Sequence, residues 1–313
     1  MTMIAIIQRP PVLLDRSATI ARAVQSVAEA AAAGAALIVL PESFIPSYPS
    51  WIWRLAAGKD GALMGQLHTR LLANAVDIAN GDLNELCEAA SAHAVTIVCG
   101  INECERRNGG GTLFNSVVVI GANGEVLNRH RKLMPTNPER MVHGFGDASG
   151  LRTVDTPVGR IGTLICWENY MPLARYTLYA QGVEIYVAPT YDAGEGWIST
   201  MRHIALEGRC WVLGSGTALR GSDIPDDFPA RMQLFPDPQE WINDGDSVVV
   251  NPQGRITAGP LHREAGILYA DIDVSLVAPA RRTLDVTGHY ARPDIFQLQV
   301  RRAPATAVHF IDG

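Results

Sequence analysis

Three side chains of this sequence, far apart along the chain, have types and settings that suit nucleophilic chemistry. Cys166 lies in Arg160-Ile-Gly-Thr-Leu-Ile-Cys166-Trp-Glu-Asn-Tyr-Met-Pro172. An apolar strand there gives way to a tight turn, and Pro172 suits the first turn of a helix. Such an elbow lifts a side chain to the end of a sheet beside free backbone N–H groups, which a nucleophile and its developing charge both need. Taken alone, the thiol has a plainer reading, because most free cysteines are small buried hydrophobes. That plainer reading stands for Cys87, Cys99, Cys104 and Cys210. Glu42 follows Leu37-Ile-Val-Leu40 through Pro41. A carboxylate at the carboxyl end of a strand lies where α/β folds place ligands, although a turn or helix start is the commoner use. Lys132 sits in Asn128-Arg-His-Arg-Lys-Leu-Met-Pro-Thr136. On an extended segment residues 130 and 132 share a face. A lysine turned into a sheet end needs a carboxylate or another anion, whereas by itself the run reads as solvated. Glu139 and Arg140 follow closely enough to pair with these cations.

The residues behind Glu42 are rich in aromatics: Phe44, Tyr48, Trp51 and Trp53, in a chain with 7% aromatic residues. Tryptophan and tyrosine beside a polar group suit a pocket wall, and equally suit packing or an interface. Other constellations fail. The eight histidines include no His-Glu-x-x-His and no zinc spacing with cysteine. Asn108-Gly-Gly-Gly111 lacks the Gly-Lys-Ser/Thr of a phosphate loop and reads as a hairpin loop. Gly214-Ser-Gly216 is too short for a dinucleotide site. His130 or His203 could in principle activate Cys166, but neither has a local context that singles it out.

Placing these side chains requires alternating strands and helices. Ile4–Gln8, Leu37–Leu40, Val95–Ile101 and Leu113–Gly121 read as strands, and Val126–Leu133 as an extended segment. Ala18–Ala35 reads as a helix from the spacing of Ile20, Val24 and Val27. Residues 60–94 read mainly as helix, with a loop near Asn80-Gly81. A second block repeats the plan: strand Arg160–Cys166, helix Pro172–Gln181, strand Val183–Ala188 stopped by Pro189, and helix Ile198–Cys210. Asp246–Asn251 and Gly266–Asp273 are late strands around the turn Pro252-Gln253-Gly254. Residues 221–245 read as a loop excursion. Leu37-Ile-Val-Leu-Pro41 and Glu184-Ile-Tyr-Val-Ala-Pro189 both follow a strand–helix unit, which suggests an internal duplication. The mixture predicts an α/β (α+β layered) fold with helices over sheet. Residues 1–300 are expected to form a single domain and 301–313 a C-terminal tail.

The whole-chain balance agrees. Of 313 residues 47% are hydrophobic and 19% charged, ample for a large core in an ordinary globular protein. The formal net charge is −6 with no basic patch, so nucleic acid is not an expected partner. The N-terminal stretch lacks the basic flank of a signal peptide. The longest apolar run, Ala30–Leu40, falls short of the ~18 residues a membrane helix needs. Five cysteines with no disulfide pattern point to reduced thiols and a cytoplasmic protein.

Together these segments resemble the nitrilase superfamily of carbon–nitrogen hydrolases, from Ile4 to about Phe296. The resemblance implies a four-layer α-β-β-α sandwich with pseudo-duplicated halves and a Glu–Lys–Cys triad. Pro41-Glu42 matches the glutamate, Arg131-Lys132-Leu133 the lysine and Cys166 the nucleophile, with Glu139 as a supporting fourth member. Cys166-Trp-Glu-Asn-Tyr-Met-Pro-Leu-Ala-Arg175 is similar to the nitrile-hydrolysing branch. Amidase and carbamoylase branches place Asp rather than Glu two residues after the cysteine. His130–Thr136 with Glu139-Arg140, Pro189-Thr-Tyr-Asp192, Arg202–Arg209 and Asp285–Asp294 are further matches to that branch. The resemblance implies hydrolysis of an organic nitrile to its acid and ammonia through a cysteine thioimidate and thioester, with no metal or organic cofactor. Tyr48, Trp51, Trp167, Pro189, Thr190 and Tyr191 are the expected substrate-binding residues, and they suggest an aromatic or arylaliphatic nitrile. The alternatives are an amidase or carbamoylase, a cyanide-hydrolysing enzyme, or a non-catalytic binding protein of the same fold. A homo-oligomer built on the family's helical face is expected. Filaments are not, because the chain ends soon after Arg292-Pro293-Asp294, where many filament-forming nitrilases carry a longer tail.

Overall fold

The computed structural model of the protein describes residues 1–106, 110–304, 308 and 311. Its strands in chain order are β1 (Thr2–Gln8), β2 (Leu37–Val39), β3 (Thr96–Cys104), β4 (Leu113–Ile120) and β5 (Val126–Arg131), then β6 (Val154–Thr156), β7 (Gly159–Thr163), β8 (Ile185–Pro189) and β9 (Trp211–Ser215), and finally β10 (Ala218–Arg220), β11 (Trp241–Val250), β12 (Ile256–His262) and β13 (Gly266–Ile272). The longer helices are α1 (Arg16–Ala32), α2 (Gly61–Asn74), α3 (Asn84–His93), α4 (Pro172–Tyr179) and α5 (Glu195–Gly208).

Successive side chains of a strand point to opposite faces, and here both faces are apolar. Ile4 and Ile6, Leu37 and Val39, and Val117 and Val119 meet Ile185, Val187, Leu213 and Val249 in one core between the two sheets. The intervening residues Ala5, Ile7, Ile38, Val118 and Ile120 turn outward onto α1 and α3, where they meet Ile20, Val27 and Leu86. Tyr186, Ala188, Val212 and Val248 turn the other way and pack against Leu178 of α4 and Met201 and Ile204 of α5. Strands buried on both faces therefore generate four layers, helix on sheet on sheet on helix. α1 fits its layer because Ile20, Ala23, Val27 and Ala30 recur on one face, and the Asp15 side chain caps its first turn by accepting from Ala18 N–H (2.9 Å).

The two sheets share one plan. The first runs β13-β1-β2-β3-β4-β5, with β1, β2 and β3 parallel and their neighbours antiparallel. The second contains the matching parallel trio β7-β8-β9, flanked by antiparallel β6 and β11. β2 and β8 are the central strands of their trios, so the duplication suggested by their two prolines is a topological one as well. Glu42 leaves the first of these strands and Tyr191 the second.

Several boundaries differ from expectation. α1 ends three residues early, because Gly34 takes a left-handed φ of 99° and turns the chain toward β2. The expected break near Asn80-Gly81 divides 60–94 into two helices, α2 and α3, but the connection is longer than a simple loop and runs beside the end of β3, where Val76 pairs with Glu103. Asn108 and Gly109 of the expected hairpin loop lie outside the described residues. β3 and β4 on either side pair as antiparallel strands, with Cys104 opposite Leu113. β7 stops at Thr163 and Cys166 opens a short 3-10 helix, Cys166–Tyr170. Pro189 does not stop β8 but is its last residue, opposite Ser215 of β9. Within 221–245 the excursion ends at Trp241, where the ten-residue β11 begins. Its third to sixth residues are Asn243, Asp244, Gly245 and Asp246, a polar run that disguises a strand.

Candidate active site

Four segments meet at one end of the paired sheets: the loop after β2, the residues after β5, the elbow after β7 and the loop after β8. Each brings a polar group that is costly to bury alone, and each finds its partner there. Lys132 is 1% exposed. Its ammonium donates to Glu42 Oε1 (2.8 Å) and to Glu139 Oε2 (2.9 Å) and Oε1 (3.1 Å). The two carboxylates are held in turn. Asn115 Nδ2 donates to Glu42 Oε1 (2.7 Å), and the Tyr191 backbone N–H donates to Glu42 Oε2 (2.6 Å). Tyr48 Oη donates to Glu139 Oε1 (2.8 Å) and Thr136 N–H to Glu139 Oε2 (2.9 Å).

Cys166 completes the group from the elbow. Its φ of 51° lies in the left-handed region, a conformation that costs a non-glycine residue about 1 kcal/mol or more. Asn169 holds that shape: its Nδ2 donates to Cys166 O (2.8 Å) and Leu164 O (3.1 Å), and its Oδ1 accepts from Tyr186 Oη (2.7 Å). The sulfur is almost wholly enclosed, yet it forms part of the floor of an open cleft of about 430 Å³.

The charges at the site pull against one another. Burial pushes the Cys166 thiol well above its usual range, and the Glu42 charge adds to this, while Lys132 and a hydrogen bond with Thr190 pull it down. Burial likewise raises the Glu42 carboxyl, partly offset by Lys132. Burial disfavours the Lys132 ammonium, but the neighbouring Glu42 and Glu139 outweigh it and hold the ammonium protonated. Burial raises Glu139 too, but Lys132, His143 and the Thr136 amide more than reverse this, so it stays ionised. A neutral thiol thus rests beside a permanent cation and a carboxyl that accepts protons more readily than usual.

The cleft walls are aromatic. Tyr48 and Tyr191 stack with ring centroids 3.9 Å apart, and Trp53, Trp167 and Trp241 line the cleft with them, together with Arg54, Asp244 and Arg263. Trp167 is 52% exposed and is steadied by its indole N–H, which donates to Asp192 Oδ2 (2.9 Å). Of the expected substrate-binding residues, Tyr48, Trp167 and Tyr191 line this cleft. Trp51 does not: it is 0% exposed and packs on Phe228 in a separate core, and Trp53, two residues on, takes the wall position. Pro189 and Thr190 lie beneath the wall, fully covered, and Thr190 Oγ1 accepts from Asp192 N–H (2.8 Å) to shape the loop. Among the described residues no cluster of three or more His, Cys, Asp or Glu side chains could hold a metal ion.

A family model described as carbon-nitrogen hydrolase matches residues 3–282. The chain belongs to that family. It is 40% identical over 305 residues to an aliphatic nitrilase of Sinorhizobium fredii, an alignment covering 97% of each chain. It is 38% identical over 312 residues to a bifunctional nitrilase/nitrile hydratase of Lupinus angustifolius, covering 97% of this chain and 87% of that one. A solved carbon–nitrogen hydrolase from Helicobacter pylori superposes with a TM-score of 0.71 at 20% identity, over 94% of this chain and 96% of that one.

In this carbon–nitrogen hydrolase, sequence reasoning missed Asn115, His143 and Trp241, and it named Trp53 as a possible wall aromatic without choosing it as a substrate-binding residue. Asn115 sits within an apolar strand, opposite Asn102 of β3. An asparagine at an inward position of a buried strand was the available signal. His143 is 4% exposed behind Glu139, with Nε2 2.8 Å from Asn102 Oδ1. No local pattern distinguishes it. The other cysteines are packing residues: Cys99, Cys104 and Cys210 are buried, Cys87 is half-buried, and burial raises all four thiols.

Proposed function

We propose that the protein is a nitrilase that converts an organic nitrile to its carboxylic acid and ammonia with Cys166 as nucleophile. One observation carries the reading. The only thiol on the cleft floor among the described residues shares a buried site with a carboxyl group whose proton affinity burial raises and a lysine held cationic. The curated relatives named as nitrilases support the same choice of substrate class.

The chemistry rests on those charges. A buried neutral thiol becomes nucleophilic as it loses its proton, and Glu42 is the base within the cluster. The Cys166 sulfur bonds to the nitrile carbon as its proton passes to Glu42, and Glu42 hands that same proton to the nitrogen, giving a thioimidate and returning Glu42 to its carboxylate form. Negative charge developing on that nitrogen faces Lys132 and the Trp167 backbone N–H, which lies in the first turn of its 3-10 helix and has no acceptor within it. Water adds to the carbon, the C–N bond breaks and ammonia leaves a thioester. A second water releases the acid and restores the thiol. Glu139 keeps Lys132 in place through both halves.

Five aromatic rings around the cleft favour an aromatic or arylaliphatic nitrile. The aliphatic nitrilase among the relatives favours a smaller one. One experiment addresses both levels. Wild type and Cys166→Ala are given an arylacetonitrile, a short aliphatic nitrile, the matched amides, an N-carbamoyl amine and cyanide, with products separated by chromatography and adducts by mass spectrometry. We expect acid from the arylacetonitrile, an adduct on Cys166 in wild type, and loss of both in Cys166→Ala. Turnover of amides, carbamoyl compounds or cyanide with none of organic nitriles would overturn the nitrilase reading. A higher kcat/KM for the aliphatic nitrile would overturn only the aromatic preference.

A further inference from the structure

Glu168 lies two residues beyond the nucleophile and is 1% exposed. It takes no part in the chemistry above, yet its carboxylate accepts hydrogen bonds from both sides of the site. Leu133 N–H donates to Oε1 (2.8 Å) and Ile165 N–H to Oε2 (2.9 Å). His130 Nε2 lies 3.0 Å from both oxygens, and because a carboxylate can only accept, that nitrogen carries the ring proton. His130 and Leu133 bracket Lys132, while Ile165 and Glu168 bracket Cys166. One carboxylate therefore straps the segment that carries the ammonium to the elbow that carries the thiol. The elbow's own shape does not depend on it, since Asn169 holds Leu164 O and Cys166 O from the other side.

We propose that Glu168 is a positioning residue whose side-chain length sets the spacing between Lys132 Nζ and Cys166 Sγ, and that this spacing decides whether acid or amide leaves the enzyme. The inference rests on the nitrilase reading. Once water has added to the thioimidate, the reacting carbon bears oxygen, nitrogen and sulfur. If the C–N bond breaks, the protonated amine departs as ammonia and the thioester goes on to acid. If the C–S bond breaks, the electron pair returns to sulfur, Glu42 relays the adduct's hydroxyl proton to it to restore the thiol, and the amide is released. An ammonium held beside the nitrogen assists the first course. One that settles on the sulfur stabilises the thiolate and assists the second. Aspartate is one methylene too short to reach all these donors, so the two segments must shift relative to each other. Displacements on the order of 1 Å in such a constellation cost about 100-fold in rate.

The test compares wild type with Glu168→Asp, Glu168→Gln and His130→Gln, reading kcat, KM, acid-to-amide ratio and the rate of Cys166 alkylation by iodoacetamide. In Glu168→Asp we expect kcat to fall about 100-fold. KM should stay close to wild type, since Glu168 does not line the main cleft. The amide share should rise several-fold, and Glu168→Gln, which keeps the length, should restore the ratio toward wild type. An unchanged acid-to-amide ratio in a folded Glu168→Asp variant overturns the proposal even if kcat falls. Should that variant not fold, His130→Gln, which alters the His130 contact to Glu168, should also raise the amide share, and an unchanged ratio there overturns the proposal instead. If wild type turns over no nitrile, the nitrilase reading fails separately. Alkylation then decides the strap alone: a rate altered about tenfold in Glu168→Asp supports it, and an unaltered rate overturns it.

Discussion

His143 shows how a single buried residue ties the site to pH. Its ring sits between Glu139 and Asn102, with Lys132 and His68 also within electrostatic reach. Burial pushes its pKa from 6.5 down to about 4, and the like charges of Lys132 and His68 push the same way against the pull of Glu139. Between those values the unfolded chain binds a proton that the native protein refuses. Stability is therefore full above pH 6.5 and falls as the pH drops toward 4, by on the order of 3 kcal/mol across the window. His143→Gln removes the titration and keeps a neutral donor for Asn102. We expect the midpoint of thermal unfolding to fall less steeply from pH 7 to pH 4.5 in His143→Gln than in wild type. Parallel slopes would exclude the assignment. Against the effect of burial, Lys132 holds the Glu139 carboxyl below its usual range, which loses stability in the same direction as the pH falls, so the difference between the two proteins, rather than either slope, reports on His143.

At the scale of elements, the position of Glu42 depends on a glycine in the neighbouring strand. A methyl group at Gly100 would overlap the Pro41 carbonyl and come within 2.5 Å of Ser43 N and 2.8 Å of Glu42 Cα. These are backbone atoms that cannot swing aside, so β3 carries glycine where the loop after β2 crosses it. Gly100→Ala should cost about 3 kcal/mol in chemical denaturation, as overpacking of a filled interior does, and should lower kcat far more than it raises KM, because the displaced carboxylate is the base. Wild-type kcat in a folded Gly100→Ala protein would separate Glu42 from that role. The close approach is invisible in the sequence, and the difference marks what could be read there. Strands such as Ile4–Gln8 and Leu37–Leu40 are buried on both faces and announce themselves as apolar runs, and Glu42 and Cys166 stand at strand ends. β11 does not announce itself, because its first half spends its polar residues on the cleft, and Asn243 donates to the Tyr191 carbonyl. The Tyr191 contact to Glu42 is a backbone N–H, which no side-chain pattern records. Trp51 and Trp53 share one short 3-10 helix, and only tertiary packing decides that the first faces the core and the second the cleft.

Across the whole molecule, the outer helical layer of the second sheet joins the site to the surface. Arg175 of α4 donates to Asn169 O (2.7 Å) behind the elbow and to Glu207 of α5 (2.8 Å), and Thr200 of α5 donates to Tyr170 Oη (3.1 Å). The same layer leaves apolar side chains in water: Leu173 is 63% exposed, Tyr170 45% and Leu206 40%. Exposed apolar side chains that gather on one layer mark an interface more often than a free face. We therefore expect a homo-oligomer that covers α4 and α5, and we expect its formation to steady the elbow through Arg175 and Asn169. Leu173→Glu introduces a charge on that layer at an exposed position and leaves the core intact. Sedimentation should show wild type as a dimer or a multiple of it and Leu173→Glu shifted toward monomer. kcat should fall with the shift and recover as protein concentration is raised, because association, not folding, is what the substitution weakens. A wild-type protein that sediments as a monomer at micromolar concentration with full activity would show that the elbow needs no partner and that Arg175 and Asn169 suffice to hold it.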